Sequence, residues 1–391
     1  MIDFGNTEIA FSNKSNKELR WANRLFSMMR KAWLVKIGER FSCIAFKLHL
    51  PVSGIIKKTI FRQFCGGISI QDCSKKIEEL GKNGIDTILD YSVEGKLSEK
   101  DLDEVCNEIL ETILLAKASK NIPFAVFKPS GLARIHILEL MSDQTKTPTI
   151  LEKKLIDAFV NRVNRICETV SEANINLFID AEDFSFQSAI DELAQDMMKK
   201  YNQKTTVVHT TLQMYRHDRI EYLNKLLAES EKYNYYVGIK LVRGAYMEKE
   251  RDRAKEFNYP SPIQKSKTET DADYDSAMEF MIEHLDRFSI CLATHNEEST
   301  LQLINAMNNK GIHKRDKRIY FAQLLGMSDH ISYNLAHHNY NVVKYVPYGP
   351  IKEVMPYLLR RAQENSSVSN QTSRELTLIK NEKKRRRLQA K

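Results

Sequence analysis

Two hydrophobic rhythms divide the chain. Over residues 1–80 the apolar positions recur at helical spacing. Residues 21–35 carry one such stripe, residues 41–60 another broken at Pro51, Gly66 and Gly67 mark a turn, and residues 70–80 resume a helix. From about residue 86 the rhythm changes to short apolar runs of strand length, separated by longer amphipathic segments. The runs are residues 85–91, 124–128, 177–182, 206–215, 236–244, 289–296, 319–326 and 341–348. Helical patterns follow them at residues 99–117, 151–173, 188–201, 219–233, 274–286, 299–308 and 328–338. A last one starts at Pro350, whose missing amide costs nothing in a first helical turn. Strands that read apolar on both faces and alternate with helices argue for a parallel sheet. Eight such units suit a closed (βα) barrel better than an open, doubly wound sheet. No G-x-G-x-x-G fingerprint follows a strand, which argues against a Rossmann dinucleotide site.

In a barrel of this kind chemistry sits at the C-terminal ends of the strands. The polar residues of the apolar runs collect there: Asp90, Lys128, Asp180, Glu182, Gln213, Lys240, Arg243, Thr294, His295, Asn296, Gln323 and Tyr345. A packed barrel interior would prefer Val, Ile and Leu, so this placement points to an enzyme. Lys128 suits a Schiff-base nucleophile, a carboxylate anchor or a strand-end charge reaching solvent. Asp180 and Glu182 lie two residues apart and point the same way if their strand continues; they suit a metal, a positioned base or a strand-end salt bridge. The stretch Lys240-Leu241-Val242-Arg243-Gly244-Ala245-Tyr246 puts two cations and a glycine turn where a helix should begin. That is a plausible phosphate seat or simply a tight turn. His295, between Thr294 and Asn296, offers hydrogen-bond partners to a cofactor. The histidines show no metal-ligand spacing, so no catalytic metal is expected. Arg360 and Arg361 fall in the third turn of the last helix. Paired guanidiniums grip a carboxylate or phosphate in a fixed fork, which suggests a small anionic substrate.

Composition adds limits. A chain of 391 residues with 42% apolar residues can bury one large core, and no apolar run reaches the ~18 residues of a membrane span. The first 17 residues lack the basic-then-apolar pattern of a secretory signal. Six scattered cysteines without a C-x-x-C read as buried, reduced thiols in a cytoplasmic protein. The net charge of +8 is uneven: residues 380–391 hold seven Lys/Arg against one Glu, which leaves +2 for everything else. This end reads as a solvated, disordered tail, with contact to an anionic membrane or nucleic acid as the alternative. The near-neutral remainder argues against nucleic acid as a partner of the whole protein.

Several of these stretches together resemble the proline dehydrogenase (proline oxidase) family. They are Asp90 to Glu94, Phe124 to Lys128, Ile179 to Glu182, Gln213 to Tyr215, Lys240 to Tyr246, Ala293 to Asn296, Gln323 to Met327, and Tyr345 through Asn365. The likeness covers residues 60–370 in order, and its most specific parts are the Leu-Val-Arg-Gly-Ala-Tyr stretch and the Tyr, Arg-Arg, Glu-Asn ending. It implies an α/β fold, a distorted (βα)8 TIM-type barrel at residues 81–370, with an N-terminal helical arm at 1–80 and the basic tail at 371–391. The implied reaction is FAD-dependent oxidation of L-proline to 1-pyrroline-5-carboxylate by hydride transfer to flavin N5, with electrons passed to a quinone. This is the first step of proline degradation to glutamate. The length implies the monofunctional form, cytoplasmic, with peripheral contact at the inner face of the membrane admitted.

Residue by residue, the resemblance implies that Lys128, Arg360 and Arg361 hold the proline carboxylate. Tyr345 and Leu324 pack on the pyrrolidine ring, Tyr246 lies close by, and Glu94 pairs with Arg360 as a gate. Asp180 organises the cations and Lys240 sits by the flavin N5 edge, where other family branches carry Arg. The flavin contacts carry over to Ala181, Gln213, Arg243, Gly244, Ala245, Thr294, His295, Asn296 and Glu364. Tyr345 is the residue of the proline enzymes, and relatives that prefer hydroxyproline carry a smaller one. Without the resemblance, a lysine-dependent aldolase working through Lys128 and a scaffold binding acidic surfaces through its tail are the competing readings.

Overall fold

The computed structural model describes residues 2–47, 52–367 and 369–389. Its sheet has eight strands: β1 (Asp86–Tyr91), β2 (Phe124–Phe127), β3 (Asn176–Ile179), β4 (Val208–Gln213), β5 (Val237–Val242), β6 (Phe288–Ala293), β7 (Ile319–Leu324) and β8 (Val342–Tyr348). They close into a barrel in sequence order, and the paired strands run parallel, for example Lys240 of β5 beside Cys291 of β6. The expected α/β barrel is therefore the observed fold. Most of its strands are almost wholly buried, including polar positions such as Thr210, Thr211 and Lys240.

The chain divides into two compact units, residues 93–322 and residues 1–92 with 323–391. In the first, the barrel interior carries an aromatic layer. Phe124 stacks on Phe178 at 4.3 Å between centroids, and His209 and Tyr320 meet Phe124 edge-on. Burial pushes the His209 imidazole down to about 4, so this histidine packs as a neutral ring. Capping boxes start the helices Ile150–Ala173 (Thr149 with Glu152) and Lys267–Glu283 (Ser266 with Glu269). Left-handed Asn174 stops the first of these, and left-handed Asn234 stops helix Arg219–Tyr233.

In the second unit, helices Asn16–Met29 and Ile351–Ser367 share an apolar cluster that includes Leu25, Met29, Phe64, Val354 and Leu358. A buried ion cluster ties the turn after β7 to β8. Lys344 donates to Asp329 at 3.0 Å and to the Met327 carbonyl at 2.5 Å, and Lys14 also pairs with Asp329. Against the cost of burial, the two lysines hold Asp329 below the usual carboxylate range.

Three expectations need correction. Residues 371–391 were expected to be disordered, yet a helix runs over Ser369–Gln389. Its Leu376, Leu378 and Ile379 pack on Phe11, Leu19 and Phe26 of the N-terminal arm. The basic run is also partly consumed: fully buried Glu382 accepts from Arg385 and Arg386, and Arg386 donates to the carbonyls of Phe11 and Lys14. Most expected strands ran past their real ends. Lys128, Asp180 to Glu182, Arg243 and Thr294 to Asn296 lie in the loops just beyond, although the amides of Asp180 and Thr294 still donate to the carbonyls of Phe127 and Ala322 on the neighbouring strands. Finally, helices Ile135–Ser142 and Met247–Glu256 had no counterpart in the hydrophobic rhythm. The expected break at Pro51 lies outside the described residues.

Candidate functional site

Within residues 93–322 the C-terminal strand ends carry a layer of charge pairs. Lys240, on β5 and 6% exposed, puts its ammonium on the Asp180 carboxylate, directly after β3. The same ammonium lies 5.3 Å over the Phe178 ring, a cation–π contact that adds to the pairing with Asp180. A buried, unpaired lysine would be strongly unfavourable, and Asp180 removes that penalty. Cys291, beside Lys240 in the sheet, has its thiol pushed up to about 12 by burial and is no nucleophile.

Asp180 and Glu182 do not act as a pair. β3 ends at Ile179, so the same-side expectation lapses, and Glu182 turns to Ser130. Its carboxyl accepts the Ser130 amide at 2.8 Å and the Ser130 hydroxyl, and it is 4% exposed. Burial first, and then the negative Glu94, push it up to about 8. Near neutral pH it is a protonated acid. Glu94 itself lies 3.8 Å from the Lys128 ammonium, which stands immediately after β2 with 10% of its side chain exposed. Ser130 and the protonated state of Glu182 were missed from sequence; the Asp-Ala-Glu spacing hinted at the second without indicating its charge.

After β5 the chain makes a turn that only glycine accepts. Gly244 has φ +135°, and a Cβ there would stand 2.5 Å from the Tyr215 ring. Arg243 is fixed on three sides by Asp271 at 2.6 Å, Thr294 at 2.9 Å and Ser299 at 3.0 Å, with Tyr274 beneath its guanidinium at 4.2 Å. Asn296 caps helix Glu297–Asn309 by accepting from the amides of Glu298 and Ser299. His295 and Tyr246 are half-buried, and Ala181 and Ala245 flank the same strand ends. Gln213, buried at the end of β4, donates to the Glu182 carbonyl at 3.0 Å. The structure thus joins Arg243 to Thr294, Asp180 to Lys240, and Lys128 to Glu94.

In the other unit, Tyr345 is buried on β8 and its carbonyl accepts from Leu325, one residue past Leu324 at the end of β7. Arg361 is 6% exposed on helix Ile351–Ser367, donates to Glu364 at 2.5 Å and lies over the Tyr357 ring at 5.2 Å. Arg360 is half-buried on the same helix. The donor set fits a flavin dinucleotide. It offers a guanidinium locked in place, hydroxyl, amide and imidazole groups on consecutive residues, a backbone turn without a side chain, and a buried cation for an anionic ring.

The sequence model described as Proline dehydrogenase matches residues 73–374. Among curated proteins, the chain is 29% identical to proline dehydrogenase 1, mitochondrial, of Dictyostelium discoideum, over 97% of this chain and 74% of that one. It is 33% identical to the carbapenem antibiotics biosynthesis protein CarD of Pectobacterium carotovorum subsp. carotovorum, over 83% of each. With hydroxyproline dehydrogenase of Xenopus laevis it shares 30% identity over 96% of this chain and 88% of that one. Among solved structures, proline utilization A of Bdellovibrio bacteriovorus, inactivated by N-propargylglycine, superposes with a TM-score of 0.71 at 21% identity. That likeness covers 93% of this chain and 36% of the larger protein, so the chain spans about a third of it.

Proposed function

The chain belongs to the proline dehydrogenase family, oxidoreductases that open proline catabolism, and from this premise we propose that it oxidises L-proline to 1-pyrroline-5-carboxylate with FAD and passes the electrons to a quinone. The observation that carries the reading is the buried Lys240–Asp180 pair at the mouth of the barrel. It keeps a cation in a water-poor place, as a site that must stabilise an anionic reduced cofactor requires. Bound FAD supplies the hydride acceptor. Ala181, Gln213, Arg243, Gly244, Ala245, Thr294, His295, Asn296 and Glu364 are the residues that would hold it.

The protein's own share is orientation and proton control. Lys128, Arg360 and Arg361 hold the proline carboxylate, and Tyr345, Leu324 and Tyr246 pack the ring, which presents C5. Hydride leaves C5 only when the ring nitrogen has a lone pair to form the C=N bond, so the bound amine must first lose a proton. The three cations around the carboxylate favour that loss to water. The same charges cost little once the anion is seated, because each contact is charge-assisted.

Anaerobic titration of the flavin-loaded protein tests the proposal. L-Proline should bleach the oxidised flavin spectrum, and a short-chain quinone should restore it. An unchanged spectrum would refute the substrate. Tyr345→Ser should cost proline turnover more than trans-4-hydroxyproline turnover; an unmoved ratio would remove Tyr345 as the selector between the two.

A further inference from the structure

We propose that helix Ala32–Lys47 is a docking element for an anionic lipid surface. It is set by the stripe Trp33, Ile37 and Phe41 and by the basic residues along it. The inference rests on this surface alone and stands whether or not the electron acceptor is a quinone.

The three side chains are spaced by four, so they rise along one face of the helix. They are 59%, 56% and 57% exposed, well above what a packed helix face leaves to water. The helix is nonetheless anchored, because Val35, near the opposite side, packs on the cluster that holds Leu25, Val354 and Leu358. Its exposed stripe is therefore presented by a fixed element. Exposed apolar residues also flank it in sequence, Met28 before and Ile55 after.

Charge identifies the occupant. Residues 28–41 hold four Lys/Arg against one Glu. Arg30, Lys31, Lys36 and Arg40 are all exposed, as are Lys57 and Lys58 next to Ile55. On a helical wheel Lys36 and Arg40 border the stripe on one side. An apolar face edged with cations matches the boundary between anionic headgroups and acyl chains. A protein partner with an apolar groove would not need cations on the rim. No described helix is long and apolar enough to cross a bilayer, so the contact is one of lying on the surface. The C-terminal basic run is the weaker candidate. Arg385 and Arg386 are engaged by Glu382, and its apolar residues Leu376, Leu378 and Ile379 face the protein, which leaves Leu388 as an exposed apolar side chain and no stripe.

The chain has two tryptophans, so Trp21→Phe makes Trp33 the sole reporter in the flavin-loaded protein. Vesicles of phosphatidylcholine containing phosphatidylglycerol should shift its emission to the blue and carry the protein down on centrifugation, whereas pure phosphatidylcholine should do neither. Lys36→Ala with Arg40→Ala should weaken partitioning roughly 25-fold, about fivefold per charge. Ile37→Ser with Phe41→Ser should abolish the shift while proline still bleaches the flavin, which shows an intact fold. Changing Lys383, Lys384 and Arg387 together to Ala should alter partitioning less than the helix pair does. Equal binding to both vesicle types, or unchanged binding in the stripe variant, would overturn the proposal. So would loss of binding from the tail variant alone, or a lipid-free dimer that the stripe substitutions dissociate, since a second copy would then cover the stripe.

Discussion

Replacing Glu182 with Gln should flatten the fall in stability that the wild-type chain shows between about pH 5 and pH 8. Glu182 is 4% exposed, and burial together with Glu94 raises it from 4.5 to about 8 in the folded chain. Below about pH 4.5 both folded and unfolded chains carry the proton, and the contribution of the neutral acid is fully present. As pH rises toward 8, the unfolded chain sheds a proton that the folded chain keeps, so stability falls, and the loss is complete once pH passes the raised value. At 1.36 kcal/mol per pH unit the full span is on the order of 5 kcal/mol, of which about 3.5 lies between pH 5 and 8. For a chain of this length that is a difference in Tm of about 4 °C. Gln keeps the contacts: its carbonyl accepts the Ser130 amide, and its NH2 donates to the Ser130 hydroxyl, which can accept as well as donate. Thermal unfolding of both proteins at the two pH values gives the comparison. Parallel pH slopes would mean that Glu182 ionises like a solvated carboxylate, and the argument from burial would fail.

Two further substitutions probe the cations. Arg361→Met should raise KM for proline and lower kcat, because a desolvated charge contact is worth about 2–5 kcal/mol; a specificity constant near wild type would remove Arg361 from the carboxylate clamp. Asp180→Asn leaves Lys240 buried without its counter-ion and should cost about 3–5 kcal/mol in urea unfolding. Adding Lys240→Met should recover most of that loss, and a double variant no more stable than Asp180→Asn would show that the pair is not the source.

Which parts of this fold could be read from sequence follows from what each element buries. β2, from Phe124 to Phe127, is buried at every position, so its apolar run stood out, and eight segments of strand length implied the barrel. Their ends were harder to place because the deciding interactions are tertiary. Lys240 pairs with a carboxylate 60 residues away, and Glu182 with a serine 52 residues away. Residue type announced that charge gathers at the strand ends, but not which charges cancel or that one carboxyl keeps its proton. Helix Met247–Glu256 buries only Glu250 and Ala254, so it has no apolar stripe to detect. Helix Ile135–Ser142 has only eight residues, about two turns, which is too short for a helical period to stand out.

The two basic segments show why charge density alone misleads. By composition the C-terminal run is the obvious candidate for an anionic partner. Yet a cation that meets a buried carboxylate is already committed. Against the cost of burial, Arg385 and Arg386 hold Glu382 down to about 2, so the carboxylate stays ionised through the neutral range and the two arginines stay engaged. The cations near Trp33, Ile37 and Phe41 are fewer, but they stand exposed beside apolar side chains that are exposed as well. Surface affinity grows with the apolar area that can be inserted and with the charges that can reach the headgroups. A cationic helix whose apolar face, Leu388 apart, is already packed against its own protein supplies mainly the second. The less basic helix supplies both, which is why it, and not the more highly charged end of the chain, is the segment fitted to a lipid surface.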